Sequence, residues 1–289
     1  MGAKKRATQS TTLKYLAIAA ALGTAGYLIS EKDPLTPEAK QERYIVFQKE
    51  GFYTAFAGLP TGKIKITNVR VPMVEYAHYK TTELPTLQRK LDEIKQRYGK
   101  TILAAEAVTR VPFDLIVAMM FIESAGVEKA VSRAGAVGLM QILPDTATFI
   151  IAMENIKKRL SDYEKDWIRE HLGRRLDEGI LKMRDLGTPV KNSLGILANR
   201  FVSKEDLFDP DLNILVGAIY LGILLDESRE ADGSYRLDKL VVRYNMGYYA
   251  MGKGKKMAGA PNEVVTRMPG EPQAYIKKLV GKNGLLTLV

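Results

Sequence analysis

The chain has 289 residues, 46% of them apolar and 26% charged, a balance that excludes a wholly disordered or collagen-like protein and leaves room for about two domains. Its 43 Lys and Arg outnumber 33 Asp and Glu, giving a net charge of +10, which favours an anionic partner: nucleic acid, phospholipid head groups or a cell-wall polymer. Without cysteine there is no disulfide framework, no thiolate zinc site, no lipidated cysteine and no thiol nucleophile. The two histidines, His78 and His171, lie far apart without metal-ligand spacing, which argues against a zinc enzyme or a Ser-His-Asp hydrolase.

Lys4, Lys5, Arg6 and Lys14 precede an uncharged run from Tyr15 to Ile29. This run is short for a spanning helix, which needs about 20 apolar residues, but Thr11 and Thr12 can extend it and Lys14 can snorkel. Residues 1–30 therefore read as a membrane anchor, with the basic side in the cytoplasm and the remainder outside. A cleaved signal peptide is the rival reading, since Ala19 to Ala21 and Gly23 to Ala25 offer small residues for cleavage; a buried apolar helix is the third. Residues 31–84 form a linker and small accessory region in which Lys63 to Thr67 alternates with period two, as a strand does.

From Leu84 the pattern is helical. Leu84, Leu87, Leu91, Ile94 and Tyr98 follow 3–4 spacing among charged residues. Pro112 and Pro144 each suit the first turn of a helix. Residues 155–185 carry a stripe of Ile156, Leu160, Tyr163, Trp167, Leu172 and Leu176, and residues 211–226 are apolar on every side, which predicts a buried helix.

The chemistry concentrates in residues 111–147. The helix beginning at Pro112 is apolar on nearly every turn and is closed by one carboxyl, Glu123. Apolar surroundings and a helix C-terminus both favour its protonated form, as a general acid toward a glycosidic oxygen requires. The small residues from Ser132 to Gly138 let backbone approach a ligand closely. Gln141 offers a donor and an acceptor suited to an N-acetyl group.

Taken together, Glu123-Ser124, Ser132, Gly135 to Gln141, Pro144 and Thr146-Ala147 resemble, in order and spacing, the core of the soluble lytic transglycosylase family. Leu207 to Ile214 with Gly217-Ala218 and Tyr220-Leu221, the run Arg243 to Gly247, and Tyr275 resemble its later blocks. The resemblance implies a mainly α fold: a lysozyme-like catalytic domain over residues 85–289, with a helical insertion at about 150–205, beside the N-terminal transmembrane helix. It implies Glu123 as the catalytic acid and base. Ser132, Met140, Gln141, Tyr244, Asn245 and Tyr275 become substrate-binding residues, Met140 as a cleft floor and Tyr244 alternatively as a core aromatic. No cofactor and no metal are called for.

The implied substrate is peptidoglycan, cut between N-acetylmuramic acid and N-acetylglucosamine with closure of a 1,6-anhydro ring. A hydrolysing muramidase and a catalytically inactive structural or partner-binding protein are the alternatives. Nucleic acid is not an expected partner, because no binding motif accompanies the dispersed basic residues. The chain departs from the family pattern at Arg243 and Met246 and in the insertion with Trp167, which lengthens a cleft wall, binds a partner or decorates the surface. Lys253, Lys255 and Lys256 read as a basic loop facing peptide carboxylates or as a solvated loop. The expected location is the membrane, with the catalytic domain on the periplasmic or outer side. A bacterial envelope enzyme, a part of a secretion or conjugation channel, and a phage virion protein all fit.

Overall fold

The computed structural model describes residues 52–53, 69–70, 78–185, 199–231, 235–246, 270–280 and 283–289. The expected anchor, the alternating Lys63 to Thr67 segment and the Lys253 to Lys256 loop lie outside these residues. No helix among the described residues is long and apolar enough to cross a membrane.

In chain order the elements are β1 (Phe52–Tyr53), β2 (Val69–Arg70), α1 (Leu84–Thr109), α2 (Phe113–Ser124), α3 (Pro144–Ile156), α4 (Asp162–Leu172), α5 (Arg174–Asp185), α6 (Pro210–Glu227), β3 (Tyr235–Arg236), α7 (Leu237–Met246) and α8 (Gly270–Val280), with a closing 3-10 turn at Leu285–Thr287. The protein is mainly helical, as expected. The sheet is small, in the order β1-β2-β3: β1 runs antiparallel to β2, and Val69 of β2 pairs in parallel with Tyr235 of β3.

The predicted stripe on α1 is buried at Leu87, Leu91, Ile94 and Tyr98, and nearly the whole second half of the helix is enclosed. Arg110, in the left-handed region at φ 64°, ends it. Buried Glu106 then accepts a hydrogen bond from the Phe113 N–H at 3.1 Å, covering one of the donors that the first turn of α2 cannot satisfy internally. This is how a carboxylate can reside in the core. The helix that follows has no polar face: Phe113 through Met120 are all buried.

The central element is α6. From Asp211 to Gly222 every residue is buried, and α1, α3, α4 and α7 pack around it. Its N-terminus is capped by Asp209, which accepts from the Asp211 and Leu212 N–H groups at 3.0 and 3.2 Å.

The insertion joins this core. A capping box at Ser161 and Glu164 starts α4, and Gly173 separates it from α5. Trp167, Ile168, Leu172, Leu176, Met183, Phe201 and Val202 belong to the same hydrophobic cluster as α2 and α6. Tyr163 departs from the expected stripe and is 42% exposed. Phe201 packs flat against Gly179 of α5, where a Cβ would collide with its ring, and the Val202 N–H donates to the Thr148 hydroxyl of α3 at 3.1 Å. The insertion thus supplies interior rather than decorating a surface.

Trp167 is fully enclosed. Trp167→Ala should therefore cost about 3–5 kcal/mol, read as a lower midpoint in urea unfolding. Tyr163→Ala should stay within about 0.5 kcal/mol of the parent. Equal losses in the two variants would contradict this packing.

Candidate active site

Glu123 lies in the last turn of α2, which ends in two left-handed residues, Ala125 at φ 51° and Gly126 at φ 80°. The reversal that they make returns the chain beside its own helix end. Ser124 fastens it there: its hydroxyl donates to the Leu139 carbonyl at 2.8 Å and accepts from the Gly126 N–H at 3.2 Å.

The small-residue segment is a tight double reversal. Val137 bridges Val131 on one side and Ile142 on the other. Gly135, Gly138 and Gln141 have positive φ of 83°, 80° and 47°. Ser132 shapes the first reversal, its hydroxyl accepting from the Ala136 N–H at 3.0 Å. Gln141 shapes the second, its amide nitrogen donating to the carbonyls of Gly138 at 2.8 Å and Ala130 at 3.1 Å. Both of these bonds use the nitrogen of the amide and leave its carbonyl oxygen out of them.

Glu123 Oε1 accepts a hydrogen bond of 2.7 Å from the phenol of Tyr275 on α8, whose oxygen also lies 3.4 Å from Met119 Sδ. Burial pushes the Glu123 carboxyl up to about 7. The Tyr275 hydrogen bond pulls it back, Glu271 adds to the rise and Lys278 opposes it. The phenol itself stays protonated, because burial first and the Glu123 charge second raise it well above its ordinary value. One carboxyl oxygen is thereby committed to Tyr275, and Oε2 is left to carry the proton.

Tyr244 of α7 donates to the Met140 carbonyl at 2.7 Å and lies against Tyr220, with ring centroids 5.1 Å apart. It supports the loop as a core aromatic, the alternative reading of this residue, while its phenol feels the Glu123 charge. Met140 is completely enclosed and packs on Gly217 of α6, where a Cβ would lie 2.6 Å from Met140 Cγ. It underlies the loop rather than presenting a side chain to a ligand. Asn245 follows Tyr244 and is half-buried.

Residues 100–166 match the family model described as Transglycosylase SLT domain. Over that stretch the chain is similar to the SLT transglycosylase family. No curated protein and no solved structure matches it. The match includes Glu123, Ser132, Met140 and Gln141. Tyr244 and Tyr275 lie beyond it, and the fold brings both to Glu123, Tyr275 through its hydrogen bond and Tyr244 close enough to feel the carboxylate charge, whereas Asn245 simply follows Tyr244 on α7.

Asn213, central to this site, was not singled out by sequence reasoning. It is wholly buried on α6. Its amide oxygen accepts from the Met140 N–H at 2.7 Å, and its nitrogen donates to the carbonyls of Val137 and Leu207, each at 2.9 Å. The loop at Val137 and Met140, more than seventy positions away, and the turn just before α6 meet on one side chain. The only signal was an amide within an otherwise apolar helix, where a buried polar group needs partners. His171 and the carboxyls of Asp209 and Asp211 also converge, with ligand atoms within 4.8 Å of one another. These groups already bond within the protein: His171 Nε2 to Asp209 at 3.4 Å and Thr101 to Asp211 at 2.6 Å. Of the three, Asp209 is the N-cap of α6.

Gly138 and Gly135 separate backbone strain from packing. Both have positive φ, but a Cβ at Gly135 meets nothing within 4 Å, whereas one at Gly138 lies 2.6 Å from the Leu207 carbonyl and overlaps the Asn213 amide. Gly135→Ala should cost about 1 kcal/mol and Gly138→Ala about 3 kcal/mol or more, since it also displaces buried hydrogen bonds. Chemical denaturation of the two variants measures the difference, and equal costs would mean that the Asn213 clasp is not as described.

Proposed function

We propose that this protein is a peptidoglycan lytic transglycosylase that cleaves the β-1,4 bond between N-acetylmuramic acid and N-acetylglucosamine and leaves a 1,6-anhydromuramoyl end. The observation that supports this most directly is the half-buried carboxyl of Glu123, raised to about 7 and bonded through one oxygen to Tyr275. A group poised near neutrality can give and then recover a proton within one turnover.

Glu123 first donates its proton to the glycosidic oxygen, and the bond to the anomeric carbon breaks. The substrate's acetamido group stabilises the oxocarbenium-like centre. Glu123, now a carboxylate held by the Tyr275 phenol, takes the proton of the sugar's C6 hydroxyl as that oxygen bonds the anomeric carbon. The enzyme ends as it began, with no metal or cofactor in the sequence of steps. Ser132, Gln141 and Asn245 are proposed to bind the glycan beside Glu123. Residues 1–30 are proposed to tether the enzyme to a membrane, with the domain on its periplasmic or outer side.

Glu123→Gln keeps the shape and removes the proton. It should lower wall cleavage by at least about 100-fold, with mass spectrometry of digested wall showing anhydro ends for the parent enzyme. Reducing ends alone would establish a hydrolase instead, and substantial cleavage by Glu123→Gln would remove Glu123 from the mechanism.

The same burial predicts a stability trade. The folded state raises the Glu123 pKa, so its contribution is fully present below the unfolded value of 4.5 and is lost as pH rises through about 7. Glu123→Gln should therefore be more stable than the parent at pH 8 by about 2–3 kcal/mol, and close to it at pH 4. Thermal melts of both proteins across this range test the sign.

A further inference from the structure

The last helix brings more than Tyr275 to Glu123. Two contacts fix the rotation of α8 about its axis: the Tyr275 phenol on Glu123 at 2.7 Å and on Met119 Sδ at 3.4 Å. Pro272, Ile276, Leu279 and Val280 are buried beside it. With 3.6 residues per turn, positions four before and three after Tyr275 flank the same line on the helix surface, about 6 Å and 4.5 Å along the axis. Those positions are Glu271, which is exposed, and Lys278, which is half-buried. A carboxyl and an ammonium thus stand on either side of the phenol that holds Glu123.

Both charges act on Glu123 through space, Glu271 against its ionisation and Lys278 in favour. The other ionisable groups around Glu123 are the phenols of Tyr275 and of Tyr244 on α7, both held neutral by burial. On α2 itself Asp114 lies nine residues away; α1, which also packs on α2, has its buried Glu106 bonded to the Phe113 N–H at the opposite end of α2 and its buried Lys95 paired with Asp92; and the Leu285–Thr287 turn that packs on α2 brings no ionisable side chain. Glu271 and Lys278 are the charged side chains whose fields act on Glu123; His78 in turn feels the charge of Lys278, which lowers its own pKa after burial.

We propose that Glu271 and Lys278 are a balanced pair of positioning residues, in which Glu271 keeps Glu123 in its acid form and Lys278 stabilises the carboxylate that forms after proton donation, so that together they set the pH range of the enzyme. The proposal rests on Glu123 being the general acid and base. Its physical logic follows from the two roles. Burial alone favours the acid and leaves the carboxylate intermediate uncompensated; a cation on the opposite side of Tyr275 from Glu271 lowers the cost of that second state. Glu271 also lies in the first turn of α8 and Lys278 in its last, where each would favour the helix dipole. A dipole role alone would alter the stability of α8 without moving the titration of Glu123.

The test compares pH–rate profiles of the parent, Glu271→Gln, Lys278→Met and the double variant on purified peptidoglycan at low ionic strength, together with ¹³C carboxyl titration of Glu123, its resonance assigned by its loss in Glu123→Gln. Glu271→Gln should move the alkaline limb and the Glu123 resonance to lower pH by about half a unit or more, and Lys278→Met should move both to higher pH by a similar amount. The double variant should return near the parent. Lys278→Arg should keep the parental limb, and added salt should shrink both shifts, since exposed charges are screened. Limbs and titrations that coincide in all proteins, or that move in the same direction in both single variants, would overturn the pairing. The resonance reports on Glu123 in the absence of turnover. Activity surviving in Glu123→Gln would instead overturn the acid–base assignment itself, so the two failures are distinguishable.

Discussion

The site depends on one buried amide. Asn213 bonds the backbone at Val137, Met140 and Leu207 from the middle of an apolar helix, and no water is needed to complete those bonds. The loop from Gly135 to Gln141 has three residues with positive φ, and its apolar side chains Val137, Leu139 and Met140 are sunk in the core. It is held by polar clasps at its edges: Asn213 from α6, Ser124 from α2 at Leu139, and Tyr244 from α7 at Met140. Each clasp comes from a different helix. The relative placement of Glu123 and the loop is therefore set by how α2, α6 and α7 pack, and the hydrophobic core becomes the frame of the chemistry.

That frame explains why Glu123 is unusual. A carboxyl in the last turn of a helix ordinarily faces water and ionises freely. Here Met119 and Met120 are buried on the same helix, and α8 closes over Glu123 with Tyr275. Desolvation pushes the carboxyl toward its neutral form, and the phenol limits the rise by bonding the charged one. The resulting balance near neutrality is costly to folding, and it is the trade expected if, as proposed, Glu123 serves as acid and base.

Much of this was legible from the residues. Spacing showed the stripe of α1, uniform apolarity showed that α6 is enclosed, and the prolines at 112 and 144 marked the starts of α2 and α3. Glu123 stood out because it is the lone carboxyl closing an apolar helix. What remained hidden depends on contacts across long separations. Nothing local indicates that Asn213 meets Met140, 73 positions away, or that Tyr275 reaches Glu123 across 152. Trp167 and Tyr163 both fit one helical stripe, yet only Trp167 is buried, because the face that packs is chosen by α1, α5 and α6 and not by the stripe alone. Met140 reads as a ligand contact until Gly217 shows which way it packs.

The insertion begins inside the stretch that matches the family model and continues beyond it, and the fold gives it a specific mechanical place. His171, in the last turn of α4, receives support from both sides: Nδ1 lies 2.9 Å from the Trp167 carbonyl and Nε2 3.4 Å from Asp209. Burial works against a charged imidazole there, but the Asp209 bond and charge outweigh it, so His171 titrates above its ordinary value and Asp209 below its own. Asp209 is also the residue that caps α6. Four positions into that helix comes Asn213. An element that appears remote from the chemistry therefore grips the first turn of the helix carrying the amide on which the site loop hangs. Arg175 strengthens the same junction through two bonds of 2.8 Å to Asp206, within the 3-10 turn that leads into the cap. Changes in α4 and α5 should consequently reach Glu123 through the position of α6, by way of packing and a capped helix end.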